Sequence, residues 1–290
     1  LARGAREGKN PSPLFDTAYY LLQNPDIAES GSNPLIHYIK CGAYQDRKPN
    51  PLFDSAYYLK QYPDVIESGL NPLAHYLECG ANEGRKPNPL FNSAYYLNKY
   101  GDVFDKRINP LAHYLEFGAH EGRKPNPLFD TAYYLKQYPD VVSAGLNPLV
   151  HYLEYGVLDG RKPSPLFDTA YYLTQYPDVV ESGLNPLVHY LEYGVLDGRK
   201  PSPLFDTAYY LKQYPDVVAS GLNPLEHYLE GGAFEDRKPN PLFDSAYYRN
   251  MYRDIVETGM NPLVHYLEYG AHEDRKPNPL FDTAYYVKQY

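Results

Sequence analysis

Histidine recurs at a constant interval along this sequence, and a regular series of imidazoles is a pattern that can hold metal ions. The series comprises His37, His75, His113, His151, His189, His227 and His265. A zinc or copper site needs several ligands that converge on one point. Histidines that occur once per interval are separated by the distance between packed helices, about 8–10 Å. Their ligand atoms therefore do not converge on one metal ion. Since no His-x-x-x-His lies on one predicted helix, we interpret the histidines as structural, each bonded to a capping group or to neighbouring backbone.

Carboxylates recur as well, at positions that suggest helix capping more than ion binding. Asp130 and Asp140 stand at or near predicted helix N-termini, where a carboxylate stabilises free N–H groups. The loop around Asp159 has one carboxylate beside two cations, unlike the alternating oxygen ligands of an EF-hand. We therefore predict no cofactor, and calcium remains an alternative only through ligands that converge from several repeats.

Tyrosine is unusually frequent, with 34 in the chain, and many occur as Tyr-Tyr pairs. Helix geometry places the first tyrosine of each pair on the predicted polar face. This set, the tyrosine ladder, comprises Tyr19, Tyr57, Tyr95, Tyr133, Tyr171, Tyr209, Tyr247 and Tyr285. A tyrosine ring suits half-wet contacts because it is apolar with a polar tip. The ladder therefore predicts either packing on an adjacent repeat or a surface for a glycan or a partner chain.

Several function classes are disfavoured by composition and motifs. The net charge is −9 and the basic residues are dispersed, which argues against nucleic-acid binding. No apolar run is long enough for a transmembrane helix. Nucleophile-elbow, phosphate-loop and zinc-protease motifs are absent. Near-identical repeats also offer no single asymmetric site, so we predict that the chain is not an enzyme.

The residues just described are positioned by a tandem repeat with a period of ~38 residues. The tripeptide Leu-Phe-Asp, with Asn92 once in place of Asp, starts at Leu14, Leu52, Leu90, Leu128, Leu166, Leu204, Leu242 and Leu280. Complete repeats span 14–51, 52–89, 90–127, 128–165, 166–203, 204–241 and 242–279, and partial repeats span 1–13 and 280–290. No insertion interrupts the array, as expected for units that must stay in register with their neighbours.

Each repeat is predicted to contain three short helices, here located in 128–165. Asp130 is suited to cap the first helix, Pro139 opens the second and Gly145 closes it in a left-handed conformation. Asn147 caps a third helix that ends at Gly156. The predicted helices are Thr131–Gln137, Pro139–Ala144 and Pro148–Tyr155. Because nothing alternates with period two, we predict an all-α solenoid.

Helical periodicity also predicts which side chains are buried. On the first helix, one arc holds Ala132, Tyr134, Leu135 and Tyr138. The third helix carries a second apolar stripe, formed by Leu149, Tyr152 and Leu153. Helices this short are unstable alone, so packing within and between repeats must stabilise them.

The two cysteines, Cys41 and Cys79, are separated by one repeat length and therefore occupy equivalent positions in neighbouring repeats. Equivalent Cα atoms are expected about 8–10 Å apart, whereas a disulfide needs less than about 7 Å. We predict two free thiols.

The repeat resembles a known tandem-repeat family through the phrase Pro-Leu-Phe-Asp-x-Ala-Tyr-Tyr-Leu, followed by Tyr-Pro-Asp-Val and Gly-Leu-Asn-Pro-Leu-x-His-Tyr-Leu. That family occurs in large bacterial surface or secreted proteins, and in some proteins beside glycosyltransferase domains. The resemblance implies a bacterial source and an extracellular or cell-surface location. It implies no catalytic residue.

Two function classes remain. The first is a structural protein that forms a stiff extracellular rod or the body of a filament, with copies of itself or further repeats as partners. The second is a binding module that presents tyrosines and charges to a glycan or a protein. The charges include Arg161 and Lys162, whose equivalents recur along the array. They are either solvated pairs or stripes that pair between chains.

Overall fold

The chain is an all-α array of three-helix repeats. The computed structural model describes residues 10–289, and no β-strand occurs within that range. Isolated bridges, such as Asn126 with Phe129, only close the turn before each first helix. The chain divides into two compact units, Leu1–Val150 and His151–Tyr290. None of the helices within 10–289 is long and apolar enough to span a bilayer.

The helix bounds recur with the repeat. The first helices are Thr17–Gln23, Ser55–Gln61, Ser93–Lys99, Thr131–Gln137, Thr169–Gln175, Thr207–Gln213, Ser245–Met251 and Thr283–Gln289. The second helices are Pro25–Ser30, Pro63–Glu67, Gly101–Asp105, Pro139–Ser143, Pro177–Ser182, Pro215–Ser220 and Arg253–Thr258. The third helices are Pro34–Lys40, Pro72–His75, Pro110–His113, Pro148–His151, Pro186–His189, Pro224–His227 and Pro262–His265.

Capping residues set these bounds, as the sequence predicted. The backbone N–H of Tyr133 donates to the Asp130 carboxylate at 2.9 Å. Asn147 accepts from the N–H groups of Leu149 and Val150 at 3.1 and 3.2 Å. Gly145 has a φ of 64°, the left-handed conformation that ends the second helix. The predicted helices Thr131–Gln137 and Pro139–Ala144 are thus confirmed to within one residue.

The predicted span of the third helix, Pro148–Tyr155, is confirmed to within one residue, but its second half is a π-helix. In six repeats the α-helical part ends at the histidine and a five-residue π-helix follows. These π-helices are Tyr76–Gly80, Tyr114–Gly118, Tyr152–Gly156, Tyr190–Gly194, Tyr228–Gly232 and Tyr266–Gly270, whereas the first repeat has a 3-10 helix at Gly42–Tyr44. A Cβ on Gly118 would overlap the Tyr96 hydroxyl. The terminal glycine therefore makes room for a buried tyrosine.

The predicted buried arc of the first helix is partly wrong. Tyr134 is fully buried, but Ala132 is exposed and Leu135 and Tyr138 are only half-buried. Thr131 is buried instead, because the hydroxyl of Tyr114 from the preceding repeat lies 3.3 Å from its Oγ1. A contact between repeats thus decides which side of this short helix faces inward.

Three aromatic rings form the centre of each repeat. In 90–127, the ring centroids of Phe91, Tyr96 and Tyr114 lie 5.5, 5.6 and 6.0 Å apart. Tyr96 and Tyr114 meet edge to face at 86°, a geometry that adds about 0.5–1.5 kcal/mol beyond apolar burial. All three side chains are fully buried.

Buried hydrogen bonds connect one repeat to the next. The Ser245 hydroxyl donates to the Arg237 carbonyl at 2.7 Å, and the Tyr228 hydroxyl lies 3.1 Å from the same serine oxygen. Because serine has one proton to donate, Tyr228 must be the donor of the second bond. This arrangement stabilises the junction between 204–241 and 242–279.

A buried asparagine makes a second connection. Asn126 donates from Nδ2 to the Leu90 carbonyl at 2.6 Å, and its Oδ1 accepts from the Leu128 N–H at 2.8 Å. Asn50, Asn88 and Asn240 make the same pair of bonds. Serine replaces asparagine at Ser202, and its buried hydroxyl lacks a hydrogen-bond partner.

We expect Ser202→Asn to stabilise the chain by about 1 kcal/mol, because the amide can reach the Leu166 carbonyl and satisfy it. The reverse change, Asn126→Ser, should destabilise the chain by about 1–3 kcal/mol, because it leaves the buried Leu90 carbonyl without the hydrogen bond from Asn126. Urea unfolding measures both. Equal midpoints for Ser202→Asn and the parent would contradict the prediction.

Candidate functional site

The histidine series lies inside the repeats against buried tyrosines. His189 Nδ1 is 3.1 Å from the hydroxyl of Tyr172. Equivalent distances of 2.9 to 3.1 Å are found at His37, His75, His113, His227 and His265, and His151 is buried as well. The partner is thus a tyrosine hydroxyl, and not the capping group or backbone that the sequence suggested.

Electrostatics keep His189 and its tyrosine partner neutral. Burial lowers the pKa of His189, and the nearby Arg199 guanidinium lowers it further. Burial also raises the pKa of Tyr172 well above its usual range. The pair is therefore uncharged at neutral pH, which suits a structural hydrogen bond.

The tyrosine ladder is half-buried along most of its length. Tyr19, Tyr57, Tyr95, Tyr133, Tyr171, Tyr209 and Tyr247 have intermediate exposure, and Tyr285 is 66% exposed. Burial raises the pKa of Tyr171, which also feels the charges of Lys200 and Asp206 at the next repeat. The chain therefore covers part of each half-buried side chain. Packing on an adjacent repeat and binding of a ligand both stay predictions.

The repeated charges pair with each other inside the chain. Arg199 contacts Asp178 at 2.8 Å and Asp197 at 3.1 Å, and its guanidinium lies over the Tyr176 ring at 4.8 Å. Lys200 contacts Asp206, the cap of the next first helix, at 2.7 Å. Exposed pairs of this kind contribute about 0–1 kcal/mol each. These repeated arginine and lysine charges are thus paired with carboxylates of the same chain.

An exposed apolar position on the second helix was missed by the sequence analysis. We call it the apolar series, and its members are Ile66, Phe104 and Val142 in the first unit and Val180, Val218 and Val256 in the second. Their exposed fractions lie between 52% and 63%. Each directly follows a buried residue such as Val141. The sequence contains a sign of this exposed position, because the second helix has two consecutive apolar residues and only one of them can face the core.

One repeat brings together three side chains that can bind a metal ion. The ligand atoms of His75, Cys79 and Glu83 all lie within 4.8 Å of one another. This His-x-x-x-Cys-x-x-x-Glu spacing was not predicted, because only pairs of histidines were expected to mark a metal site. Both cysteines are free thiols, as predicted.

Comparison of the chain with protein-family models, with curated proteins and with solved structures finds no match in any of the three. Its function is therefore argued from its own side chains.

Proposed function

We propose that this chain is a non-enzymatic structural array that forms the body of a stiff extracellular rod or filament. Its chemically capable side chains support the proposal, because they bond to each other in the same way from repeat to repeat. The buried tyrosine–histidine pairs, the asparagine bonds and the Arg199-type ion pairs all serve the array itself. The extracellular location rests on the family that the repeat resembles.

The apolar series carries the proposal that copies of the chain associate laterally. Large apolar side chains that recur on a surface mark interaction sites more often than isolated ones do. A partner built of the same repeat presents apolar side chains at the same spacing, so many weak contacts add along the length. Copies of the chain are therefore the partner that fits best.

Binding of a glycan or another protein is the second candidate function. The partial exposure of the tyrosine ladder favours it, since aromatic rings with a polar tip suit both ligands. In this case the array would be a discrete particle with no lateral contacts between copies.

Electron microscopy of the native material separates these functions. We expect filaments for the parent protein and dispersed particles for the double variant Val180→Lys and Val218→Lys, since the added charges make apolar contact costly. The control Gln175→Lys and Gln213→Lys places the same charges at exposed polar positions and should keep the filaments. Circular dichroism checks folding. If the parent protein is a discrete particle without lateral contacts, the filament proposal is wrong and the binding module takes its place.

A further inference from the structure

His75, Cys79 and Glu83 follow one another at intervals of four residues where the third helix ends, with His75 closing the α-helical part, Cys79 in the π-helix Tyr76–Gly80 and Glu83 in the turn that follows. Residues four apart are neighbours on a helix surface, and the Glu83 N–H bonds the Cys79 carbonyl at 3.0 Å, which keeps the turn helical. His75 Nε2 and Cys79 Sγ are 3.4 Å apart. Tetrahedral zinc with ordinary Zn–N and Zn–S bonds places such atoms about 3.6 Å apart. The two ligand atoms are therefore close to their metal-bound separation.

Only the repeat at 52–89 has this arrangement among the residues that the structure describes. In four other repeats the cysteine position holds an aromatic residue that stacks on the histidine, as Phe117 does on His113 at 5.8 Å and Tyr193 on His189 at 5.5 Å, and in the repeat at 204–241 it holds Gly231. In the first repeat, Cys41 has a φ of −137° and caps its helix, outside helical geometry. The cysteine at 79 thus replaces the ring that covers the imidazole.

Neighbouring residues orient the imidazole and the carboxylate. His75 Nδ1 lies 3.0 Å from the Tyr58 hydroxyl, and Nδ1–H donation to that oxygen leaves Nε2 free for a metal. Arg85 Nε donates to Glu83 Oε2 at 2.6 Å, which leaves the other carboxylate oxygen available. The Arg85 charge is also balanced by Asp64 at 2.7 Å. Such outer partners fix ligand orientation in metal sites.

We propose that His75 Nε2, the Cys79 thiolate and one Glu83 oxygen bind Zn²⁺, with water as the fourth ligand. A nitrogen, sulfur and oxygen set suits zinc, whereas calcium and magnesium prefer oxygen alone. On binding, the thiol proton passes to solvent and a Zn–S bond forms. His75 is buried, Cys79 is half-buried and Glu83 is exposed, so the ion enters from solvent and the water position stays open.

Cobalt titration of the metal-free 290-residue chain tests the proposal. Tetrahedral Co²⁺ bound to a thiolate should give visible bands and a near-ultraviolet charge-transfer band at one equivalent, and Zn²⁺ should displace it. Cys79→Ser and Cys79→Tyr should abolish the charge-transfer band, and the second variant installs the residue found in three other repeats. Glu83→Gln should raise the Zn²⁺ dissociation constant by about tenfold or more.

Cys41→Ser is the matched control, because it removes the other thiol from the equivalent position and should leave the cobalt spectrum unchanged. Zinc should also protect one thiol from alkylation in the parent chain, and that protection should persist in Cys41→Ser. Absence of a thiolate band in the parent chain, or its loss in Cys41→Ser with retention in Cys79→Ser, would overturn the assignment. Circular dichroism of each variant shows whether the fold is intact.

Discussion

Gly118→Ala is expected to destabilise the chain by about 1–3 kcal/mol, the range for forcing extra volume into a packed core. The new Cβ would overlap the hydroxyl oxygen of Tyr96, which is fully buried and bonded to His113. Helix propensity alone predicts the opposite, because alanine is favoured over glycine by about 1 kcal/mol inside a helix. The sign of the change therefore distinguishes the tertiary contact from the local preference. Urea unfolding gives the free energy.

Gly101→Ala is the control for this experiment. Gly101 opens a second helix in the same repeat, and nothing lies within 4 Å of a Cβ built there. We expect it to leave stability unchanged or raise it by about 0.5–1 kcal/mol. Adding Tyr96→Phe to Gly118→Ala should recover part of the loss, since it removes the overlapping oxygen. If both alanine variants behave alike, the contact between Gly118 and Tyr96 has no energetic role.

Local residues explain why the helix bounds were predictable. Asp130 and Asn147 cap the N–H groups next to them, and Gly145 adopts its left-handed conformation within its own turn. These effects act over a few residues, so a single repeat contains all the information they need. The constant repeat length then gave the all-α array without any knowledge of side-chain contacts.

The structural features that were not predicted depend on contacts between residues that are far apart in the sequence. Thr131 is buried and Ala132 exposed because Tyr114, 17 residues earlier, reaches the start of the helix. The π-helix that ends at Gly118 accommodates the hydroxyl of Tyr96, which belongs to the first helix of the same repeat. Helical periodicity describes one helix in isolation, so it does not encode such contacts.

The candidate sites divide in the same way. The histidines were recognised as structural candidates, but their tyrosine partners required the fold, because the two residues lie on different helices. The candidate metal site is different, since His75, Cys79 and Glu83 are close in the sequence and their spacing is readable there. It is not a feature of the repeat pattern, because only the repeat at 52–89 combines the cysteine with a glutamate, whereas the first repeat has Cys41 followed by Gln45.

The second large effect expected is a loss of stability as the pH falls below about 6.5, the ordinary pKa of histidine in an unfolded chain. Burial, reinforced by a nearby arginine, lowers the pKa of His113, His189 and His265 in the folded chain. Between the folded and unfolded pKa values the unfolded chain binds protons that the folded chain does not. Stability is thus fully present above the unfolded pKa and falls as the pH drops towards the folded one.

The carboxylates titrate below the pH range in which the histidines change stability. The Arg123 hydrogen bond lowers the pKa of Asp102 to about 2, so its contribution is lost only below about pH 4, the ordinary range of aspartate. Between pH 7.5 and 5 the histidines therefore dominate. Because these histidines recur along the array, and the stability of a repeat protein is approximately a sum over its repeats and their interfaces, their effects on stability add.

Urea unfolding at several pH values between 7.5 and 5 measures this dependence. The parent chain should lose stability steadily towards the acid end, and His189→Gln should reduce the slope by at most one proton, about 1.4 kcal/mol per pH unit. His120→Gln and His272→Gln, which replace exposed histidines outside the series, are the matched control variants. A free energy of unfolding that is constant or rises from pH 7.5 to 5 would show that the buried tyrosine–histidine pairs tolerate a proton.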